Sequence, residues 1–384
     1  MQYRSWALAA AIGLMVAGAV RAEEAPPATG STAEELPTME LERRPLDDFH
    51  QAVLRTSEQS YLPLDPADLL KRAPGAAVNK NGALTGISQY RGMFGPRVNT
   101  LVDGLNVSPA CPNWMDPPLS FVPTSDLHEV TVDRGISPVS TGSESIGGSS
   151  RADTRQGTFG SGEEFEPHGI IGIGGQSVDS GYNGNALLWV SNDRHLFQAS
   201  GSYLRGDDFD AGRNTDVIPT EYRRWNAGVR YGFQDGVQKS SLSYSFDKTA
   251  DTGVAALPMD IRSVDAHSFR ASYENRFGPL YVEARFHYID GEHEMDNFSL
   301  RSPPRNIRGI SMRRLSESTA TDYAYDLRGS LALGGGELRF GTDGWLPEYQ
   351  AEIFNPDDPA FEIVNFNGVK RNRLGFFGEW AGEL

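Results

Sequence analysis

The stretch RGMFGPRVNTLVDGLNVSPACPNWM, residues 91–115, combines a strand, a tight turn and a loop that holds two sulfur-containing side chains. The segment RVNTL favours an extended backbone, and the Asp103 and Gly104 that follow it are the pair that turns a β-hairpin. A loop must therefore come after the hairpin. It contains the only cysteine of the chain, Cys111, and a methionine four residues later, Met115, among several prolines.

The N-terminal segment MQYRSWALAAAIGLMVAGAVRA has the pattern of a secretory signal peptide over residues 1–22. Its apolar run is too short for a permanent spanning helix, which needs about 18 apolar residues. Removal of this segment takes away Arg4 and Arg21, so the net charge changes from −16 to −18. An exported chain this acidic is a poor partner for nucleic acid, and its single cysteine excludes an internal disulfide framework.

Residues 61–157 predict a small α/β domain, preceded by an acidic, Pro/Ala/Thr-rich tether at residues 23–60. A short helix is expected within residues 45–60 of that tether. In LPLDPADLLKRAPGAAV, Asp65 or Asp68 is placed to cap a helical turn that the following Pro-Gly pair ends. The segment DLHEVTVDRG alternates valines with polar residues, as a half-buried strand does.

The remaining residues, 158–384, predict antiparallel strands with one apolar face, because apolar side chains alternate with polar or small ones in segments such as RWNAGVRYGF. Tight turns alternate with polar stretches, which we expect to be outer loops. These stretches lie near residues 178–184, 206–221, 250–264, 292–317 and 347–369. Such asymmetry is typical of an outer-membrane β-barrel, since hydrocarbon leaves a strand no backbone partner except its neighbour.

The predicted fold is therefore mainly β, with a small α/β domain followed by an antiparallel transmembrane β-barrel. About ten strands are expected from His168 onward, whereas a barrel that encloses a domain of this size has about 22. We expect the chain to be an N-terminal fragment, in which residues 158–384 form the N-terminal part of the barrel.

Four segments, DLLKRAPGAAV, RGMFGPRVNTLVDGLNV, DLHEVTVDRG and STGSESIGG, resemble in order and spacing the plug domain of TonB-dependent outer-membrane receptors. The resemblance implies a plug in a lipid-embedded barrel of a Gram-negative outer membrane, and uptake of a scarce nutrient driven by the TonB complex. TonB would pull on a segment ahead of the plug, for which LPTMEL at residues 36–41 is the candidate. The segment SSRADTR, residues 149–155, departs from the more apolar strand that is usual in this family.

A narrower resemblance is to the copper-receptor branch of this family, which carries a Cys-x-x-x-Met pair on the plug and a His-x-Met pair on a barrel loop. Here these pairs are Cys111 with Met115 and His293 with Met295. The resemblance implies that the four residues bind copper as the imported substrate, without an organic cofactor. If the first barrel strand runs outward, residues 292–317 form an outer loop, and both pairs lie on the same side of the membrane.

The chemistry of these residues points the same way, because a thiolate, two thioethers and an imidazole form a soft set that favours Cu(I) over magnesium, calcium or ferric iron. Methionine also argues against an ordinary zinc site. Taken alone, Met115 is interpreted as a packing residue and His293 as a solvated or hydrogen-bonded histidine. Cys111 alone is either a small buried hydrophobe or a reactive thiol. Met259 and Met312, in or near outer loops, are interpreted as packing residues.

Three functions stay open on sequence alone. The first is a copper receptor, and the second is a receptor for a siderophore or a vitamin, which predicts an aromatic and arginine-lined outer pocket. The third is a truncated receptor that binds metal without transporting it. We expect no enzyme activity, because no nucleophile stands in a catalytic context and the glycine strings GTFGSG and GIGGQS lack the Lys-Ser/Thr of a phosphate-binding loop.

Overall fold

The computed structural model of the chain describes residues 51–59, 61–133, 139–141, 146–212 and 215–382. The predicted signal peptide at residues 1–22 and the LPTMEL segment at residues 36–41 lie outside the described residues, as does the middle of STGSESIGG. No helix in the described ranges is long and apolar enough to cross a membrane.

The small domain consists of short strands and 3₁₀ turns arranged in two sheets. Its strands are β1 (Gln51–Arg55), β2 (Ala76–Lys80), β3 (Gly86–Tyr90), β4 (Met93–Phe94), β5 (Asn99–Val102), β6 (Leu105–Asn106), β7 (Leu127–Asp133) and β8 (Ser149–Thr154). Its 3₁₀ turns are Thr56–Glu58, Pro66–Arg72, Gly95–Arg97, Pro118–Phe121, Thr124–Asp126 and Val139–Thr141. One sheet has the order β1-β7-β8-β5-β6, with β5 and β8 parallel, and the other is β2-β3-β4. The helical part of the predicted α/β domain thus consists, in the described residues, of 3₁₀ turns.

β1 lies inside the stretch that the sequence predicted as a tether, residues 23–60, and this corrects the prediction for residues 51–59. The strand pairs with β7 from Gln51 opposite Asp133 to Arg55 opposite Glu129. The short helix expected nearby is reduced to the 3₁₀ turn Thr56–Glu58. β7 lies far along the chain from β1, so the composition of residues 51–59 alone could not indicate this pairing.

The hairpin predicted at Asp103 and Gly104 is confirmed. β5 pairs with β6, and the two turn residues have φ angles of 50° and 81°, as in the type I′ turns that Asp-Gly favours. The Asp103 carboxylate also accepts hydrogen bonds from the backbone N–H of Thr154, at 2.8 Å, and from its hydroxyl, at 2.9 Å. The hairpin is therefore fixed to β8, and the loop that follows it starts from a rigid base.

The cap predicted at Asp65 is also confirmed. Asp65 precedes the 3₁₀ turn Pro66–Arg72, and its Oδ1 accepts a hydrogen bond from the Ala67 N–H at 3.0 Å. Its Oδ2 accepts a hydrogen bond from the Gly86 N–H on β3 at 2.7 Å. One buried carboxylate thus joins the helical turn to the second sheet, and burial raises the pKa of Asp65 above its ordinary value.

The large sheet is antiparallel, as predicted, and its strands from β9 to β20 follow one another in chain order, whereas β21 pairs with β19. Its strands are β9 (Glu166–Gly175), β10 (Tyr182–Ser191), β11 (His195–Gly206), β14 (Tyr222–Asp235), β15 (Gln238–Thr252), β16 (Asp260–Phe277), β17 (Leu280–Asp296), β18 (Leu315–Leu333), β19 (Gly336–Asn355), β20 (Asp358–Lys370) and β21 (Arg373–Gly382). A small ribbon of β12 (Phe209–Ala211) and β13 (Thr215–Val217) lies in the connection between β11 and β14.

β20 and β21 run one after the other along β19, β20 on its second half and β21 on its first. The break between them lies opposite Pro347, whose ring nitrogen has no hydrogen to donate to a neighbouring strand. The sheet therefore has ten strand positions, which agrees with the predicted number. The outer loop predicted at residues 347–369 is wrong, because this stretch continues β19 and forms β20, with only residues 356–357 between them.

An apolar row crosses the sheet on the face turned away from the small domain. It consists of residues paired in register from strand to strand, Val229, Tyr244, Phe269, Tyr288 and Tyr323. Beyond Tyr288 the same face of β17 carries Asp290, Glu292 and Glu294. We call the band of the sheet that contains this row the apolar belt. On β17 the apolar belt ends between Tyr288 and Asp290, and the rest of the strand extends past it.

Candidate metal centre

β17 carries one half of the predicted metal site on the part that projects past the apolar belt. Side chains on this strand alternate between the two faces, and His293 and Met295 share the face buried against the small domain. Their exposed fractions are 1% and 6%. Glu292 and Glu294 point to the opposite face, so the pleat of the strand separates the imidazole and thioether from these carboxylates.

The other half lies on the cysteine loop, residues 107–117, which follows the β5–β6 hairpin. Cys111 and Met115 are both buried. The Trp114 N–H donates a hydrogen bond to the Cys111 carbonyl oxygen at 2.9 Å, and this turn gives Trp114 a φ of 57°. A left-handed backbone at a bulky residue costs on the order of 1–3 kcal/mol and persists only where the surroundings impose it. Asn81 Nδ2 lies 3.6 Å from Met115 Sδ and donates to it.

The cysteine loop and β17 meet at one point. Cys111 Sγ, a carboxylate oxygen of Asp116 and a ring nitrogen of His293 all lie within 4.8 Å of one another. Met115 and Met295 belong to the same buried apolar cluster as Cys111. The two sequence-predicted pairs are thus placed at the same end of the sheet, although they are far apart in the chain.

Asp116 was not among the residues predicted from the sequence. It is 1% exposed, its Oδ1 accepts a hydrogen bond from the Cys111 N–H at 2.9 Å, and its Oδ2 accepts one from the Ala110 N–H at 2.8 Å. The same Oδ2 lies 3.6 Å from His293 Nδ1. The only sequence signal was an aspartate directly after Met115, and its contact with His293 depends on the tertiary fold.

The imidazole of His293 is the polar group at this centre that the protein leaves without a hydrogen bond. Within the described part of the chain, neither ring nitrogen has a hydrogen-bond partner. A buried polar group in this state costs about 1–3 kcal/mol, so its retention needs a reason. Burial, together with the nearby charge of Asp116, raises the pKa of the Cys111 thiol to about 12. The cysteine is therefore protonated at neutral pH and would lose its proton on binding a metal ion.

Two connections, residues 253–259 and 297–314, join strands of the large sheet at the end that holds the centre. Leu257 and Met259 of the first pack against the apolar cluster that contains Cys111. Arg301 of the second donates from Nε to Asp260 Oδ2 at 2.6 Å, and from Nη1 to the Leu257 carbonyl oxygen at 2.7 Å. A single guanidinium group thus links the two connections.

A cavity of about 330 Å³ opens beside the cysteine loop. One wall is formed by the loop itself, including Cys111 and Trp114, and the other by β19, β20 and the residues around β21. Its aromatic and basic lining comprises Trp114, Trp345, Tyr349, Phe366, Arg371 and Arg373. The cavity therefore has the volume and the mixed apolar and cationic lining of a small-molecule pocket.

Comparison with known proteins assigns the small domain. Residues 56–149 match the family model of the TonB-dependent Receptor Plug Domain. The chain contains a TonB-dependent receptor plug domain. The predicted family resemblance is thereby confirmed, and the plug and large sheet together have the fold of a TonB-dependent receptor with part of its barrel.

Solved structures of such receptors are similar to this chain in fold. Copper transporter OprC is 24% identical with a TM-score of 0.74, over 86% of this chain and 52% of that one. The ferric enterobactin receptor PfeA of Pseudomonas aeruginosa is 13% identical with a TM-score of 0.62, over 87% and 56%. The siderophore receptor PirA of Acinetobacter baumannii is 13% identical with a TM-score of 0.52, over 87% and 59%. The chain thus spans about half the length of these structures. No curated protein matches it by sequence.

Proposed function

We propose that this chain belongs to an outer-membrane receptor that binds a copper ion from outside and delivers it to the periplasm. The ligands are Cys111 and Met115 on the plug, and His293 and Met295 on β17. The observation that carries the proposal is the proximity of the buried Cys111 thiol to the imidazole of His293, which has no hydrogen-bond partner among the residues that the structure describes. The likeness in fold to a copper transporter supports it.

The ligand types favour Cu(I) as the bound form. Thioether sulfur is neutral and soft, and a thiolate supplies one negative charge that neutralises a monovalent ion. The exposed fractions of all four side chains lie between 1% and 6%, so the ion would be held away from water. Copper is the cargo here, and the proposal includes no resident organic cofactor.

Delivery of copper to the periplasm would depend on the placement of the four ligands on two different parts of the protein. Because two ligands lie on the plug and two on the barrel, any displacement of the cysteine loop separates the two pairs and weakens the site. In this proposal the TonB complex supplies the pull through the N-terminal segment, for which residues 36–41 remain the candidate. The apolar row on the outer face of the sheet supports a place in the lipid of the outer membrane.

The proposal is tested by the copper content of purified variants. Cys111→Ala and Met115→Ala should each lose copper when the full chain is loaded with Cu(I) in detergent and then analysed for metal. Met312→Ala is the matched control, because Met312 is a methionine of the connection 297–314 and is not one of the four proposed ligands. Its backbone N–H donates to the Pro304 carbonyl oxygen, and the alanine variant keeps this hydrogen bond. Unchanged copper in Cys111→Ala would contradict the proposal.

A receptor for a metal chelate is the second candidate, and the cavity beside Trp114 favours it. Its aromatic and arginine lining is the feature that this alternative predicts, and receptors for ferric siderophores share the fold. Binding of ferric enterobactin by the purified chain, measured by tryptophan fluorescence, together with an absence of bound copper, would support this candidate.

The third candidate is a receptor that binds copper but does not import it. It would be recognised by a normal copper content of the purified chain without copper uptake by cells.

A further inference from the structure

Asp116 is placed between the two halves of the proposed copper site. One carboxylate oxygen accepts a hydrogen bond from the Cys111 N–H, and the other accepts one from the Ala110 N–H. The second oxygen also faces His293 Nδ1 at 3.6 Å. The carboxylate therefore contacts both the backbone of the thiol ligand and the ring of the imidazole ligand.

The carboxylate of Asp116 is buried, so it needs hydrogen-bond or charge partners. Asp116 is 1% exposed and lies beside a small cavity of about 10 Å³. Phe121, Ile261 and Val264 line this cavity together with the polar side chains of Ser120, Arg224, Asp247 and Thr249. A carboxylate in such surroundings is costly unless it is hydrogen-bonded or paired. Two backbone N–H groups supply part of that compensation. His293 Nδ1, which has no hydrogen-bond partner among the described residues, lies 3.6 Å from Oδ2.

We propose that Asp116 is a positioning residue for copper binding, an inference that rests on the proposed function. Its Oδ2 holds the proton of His293 on Nδ1, so that the lone pair of Nε2 is presented to the ion. Its two backbone hydrogen bonds at the same time hold Cys111 in the loop conformation that turns the thiol toward the site. A carboxylate behind a metal-bound histidine fixes the tautomer and the ring orientation in the same way at other metal centres.

The separation of 3.6 Å between His293 Nδ1 and Asp116 Oδ2 is longer than a hydrogen bond, and the proposed role requires it to shorten when copper binds. Active-site hydrogen bonds are often long before the ligand is bound and tighten in the complex. Asp116 is better suited to this role than to direct ligation. Both of its oxygens already accept backbone hydrogen bonds, and a hard carboxylate is a poor ligand for Cu(I).

The test compares two buried aspartates that hold the cysteine loop. Asp116→Asn removes the negative charge that faces His293 and replaces one of the two acceptor oxygens by an NH₂ donor. Asp322→Asn makes the same change in a carboxylate on β18 that binds Ser108 of the same loop. Titration of the full chain with Cu(I) against a chromophoric chelator should give an affinity about 10- to 100-fold lower for Asp116→Asn. Asp322→Asn should lose clearly less affinity, because it loosens the loop without changing the group that faces His293. Equal losses in the two variants would overturn the proposal, because they would show only a general loosening of the loop.

X-ray absorption at the copper edge supplies a second readout, which reports the ligands of the ion rather than its affinity. The proposal predicts sulfur scatterers and one nitrogen scatterer, which is reduced or lost in Asp116→Asn while the sulfur scatterers remain. Two nitrogen or oxygen scatterers in the wild type would make Asp116 a ligand and overturn the positioning role. An Asp116→Asn variant that equals wild type would overturn this inference alone. A wild-type chain that binds no Cu(I) would overturn the proposed function together with it.

Discussion

Ser108 of the cysteine loop donates two hydrogen bonds to a single carboxylate oxygen of Asp322 on β18. The backbone N–H of Ser108 lies 3.0 Å from Asp322 Oδ2, and its hydroxyl oxygen lies 2.7 Å from the same atom. Trp345 Nε1 donates to that oxygen as well, at 2.8 Å, and the Tyr349 hydroxyl donates to Ser108 Oγ at 3.1 Å. The loop that carries Cys111 is therefore fastened to the barrel wall three residues before its thiol.

Replacement of Ser108 by Ala should loosen this connection. Hydrogen bonds to charged groups contribute about 1.5–3 kcal/mol, so Ser108→Ala should lower the thermal midpoint of the purified chain in detergent. Ser302→Ala, at an exposed serine of an outer connection, is the matched control and should leave the midpoint unchanged. Equal midpoints for Ser108→Ala and wild type would show that the plug is held by other contacts.

The pH dependence of stability should reveal the burial of Asp65. Burial raises its pKa in the folded state above that of the unfolded chain, about 3.9. The folded state therefore binds the proton more tightly, and the contribution of Asp65 to stability is greatest below that value. It declines as pH rises through the folded-state pKa.

Thermal midpoints of wild type and Asp65→Asn measured from pH 3.5 upward provide the test. Because asparagine does not titrate, the wild type should lose stability relative to the variant as pH rises, and the difference should then become constant. A wild type that instead gains stability relative to Asp65→Asn over this range would contradict the assignment. It would mean that the attraction of Lys80, 3.6 Å from the carboxylate, outweighs burial.

The end of the apolar belt on β17 can be tested with two arginine substitutions on the same face. Phe286→Arg lies within the belt and should destabilise the inserted protein by about 1–4 kcal/mol, depending on its depth in the bilayer. Glu292→Arg lies past the belt and should have little effect. Refolding yields in lipid vesicles provide the comparison, and equal yields for the two variants would place the membrane boundary elsewhere.

Local features of the fold were predictable from the sequence because they depend on neighbouring residues. The Asp103-Gly104 turn and the Asp65 cap follow from the conformational preferences of a few adjacent residues. The strands within the apolar belt alternate, because one face turns toward the small domain and the other carries the apolar row. The large sheet was therefore predictable in type and in number of strands.

Features that depend on distant partners were not predictable. β1 is held by β7, and the polar stretch at residues 347–369 resembled a loop because, past the belt, neither face of a strand has to be apolar. Cys111 and His293 were selected by family resemblance and ligand type, and only the fold shows that they meet. Asp116 was not predicted, because its role depends on its proximity to His293, and no local sequence pattern connects these two residues.

The central claim is that the plug and β17 together hold a copper ion, and anomalous diffraction from crystals of the chain loaded with Cu(I) tests it most directly. The account predicts one strong peak at the copper edge, in contact with Cys111 Sγ and an imidazole nitrogen of His293, and its loss in His293→Ala. A peak away from these two residues, or a loaded chain with no peak between them, would contradict it.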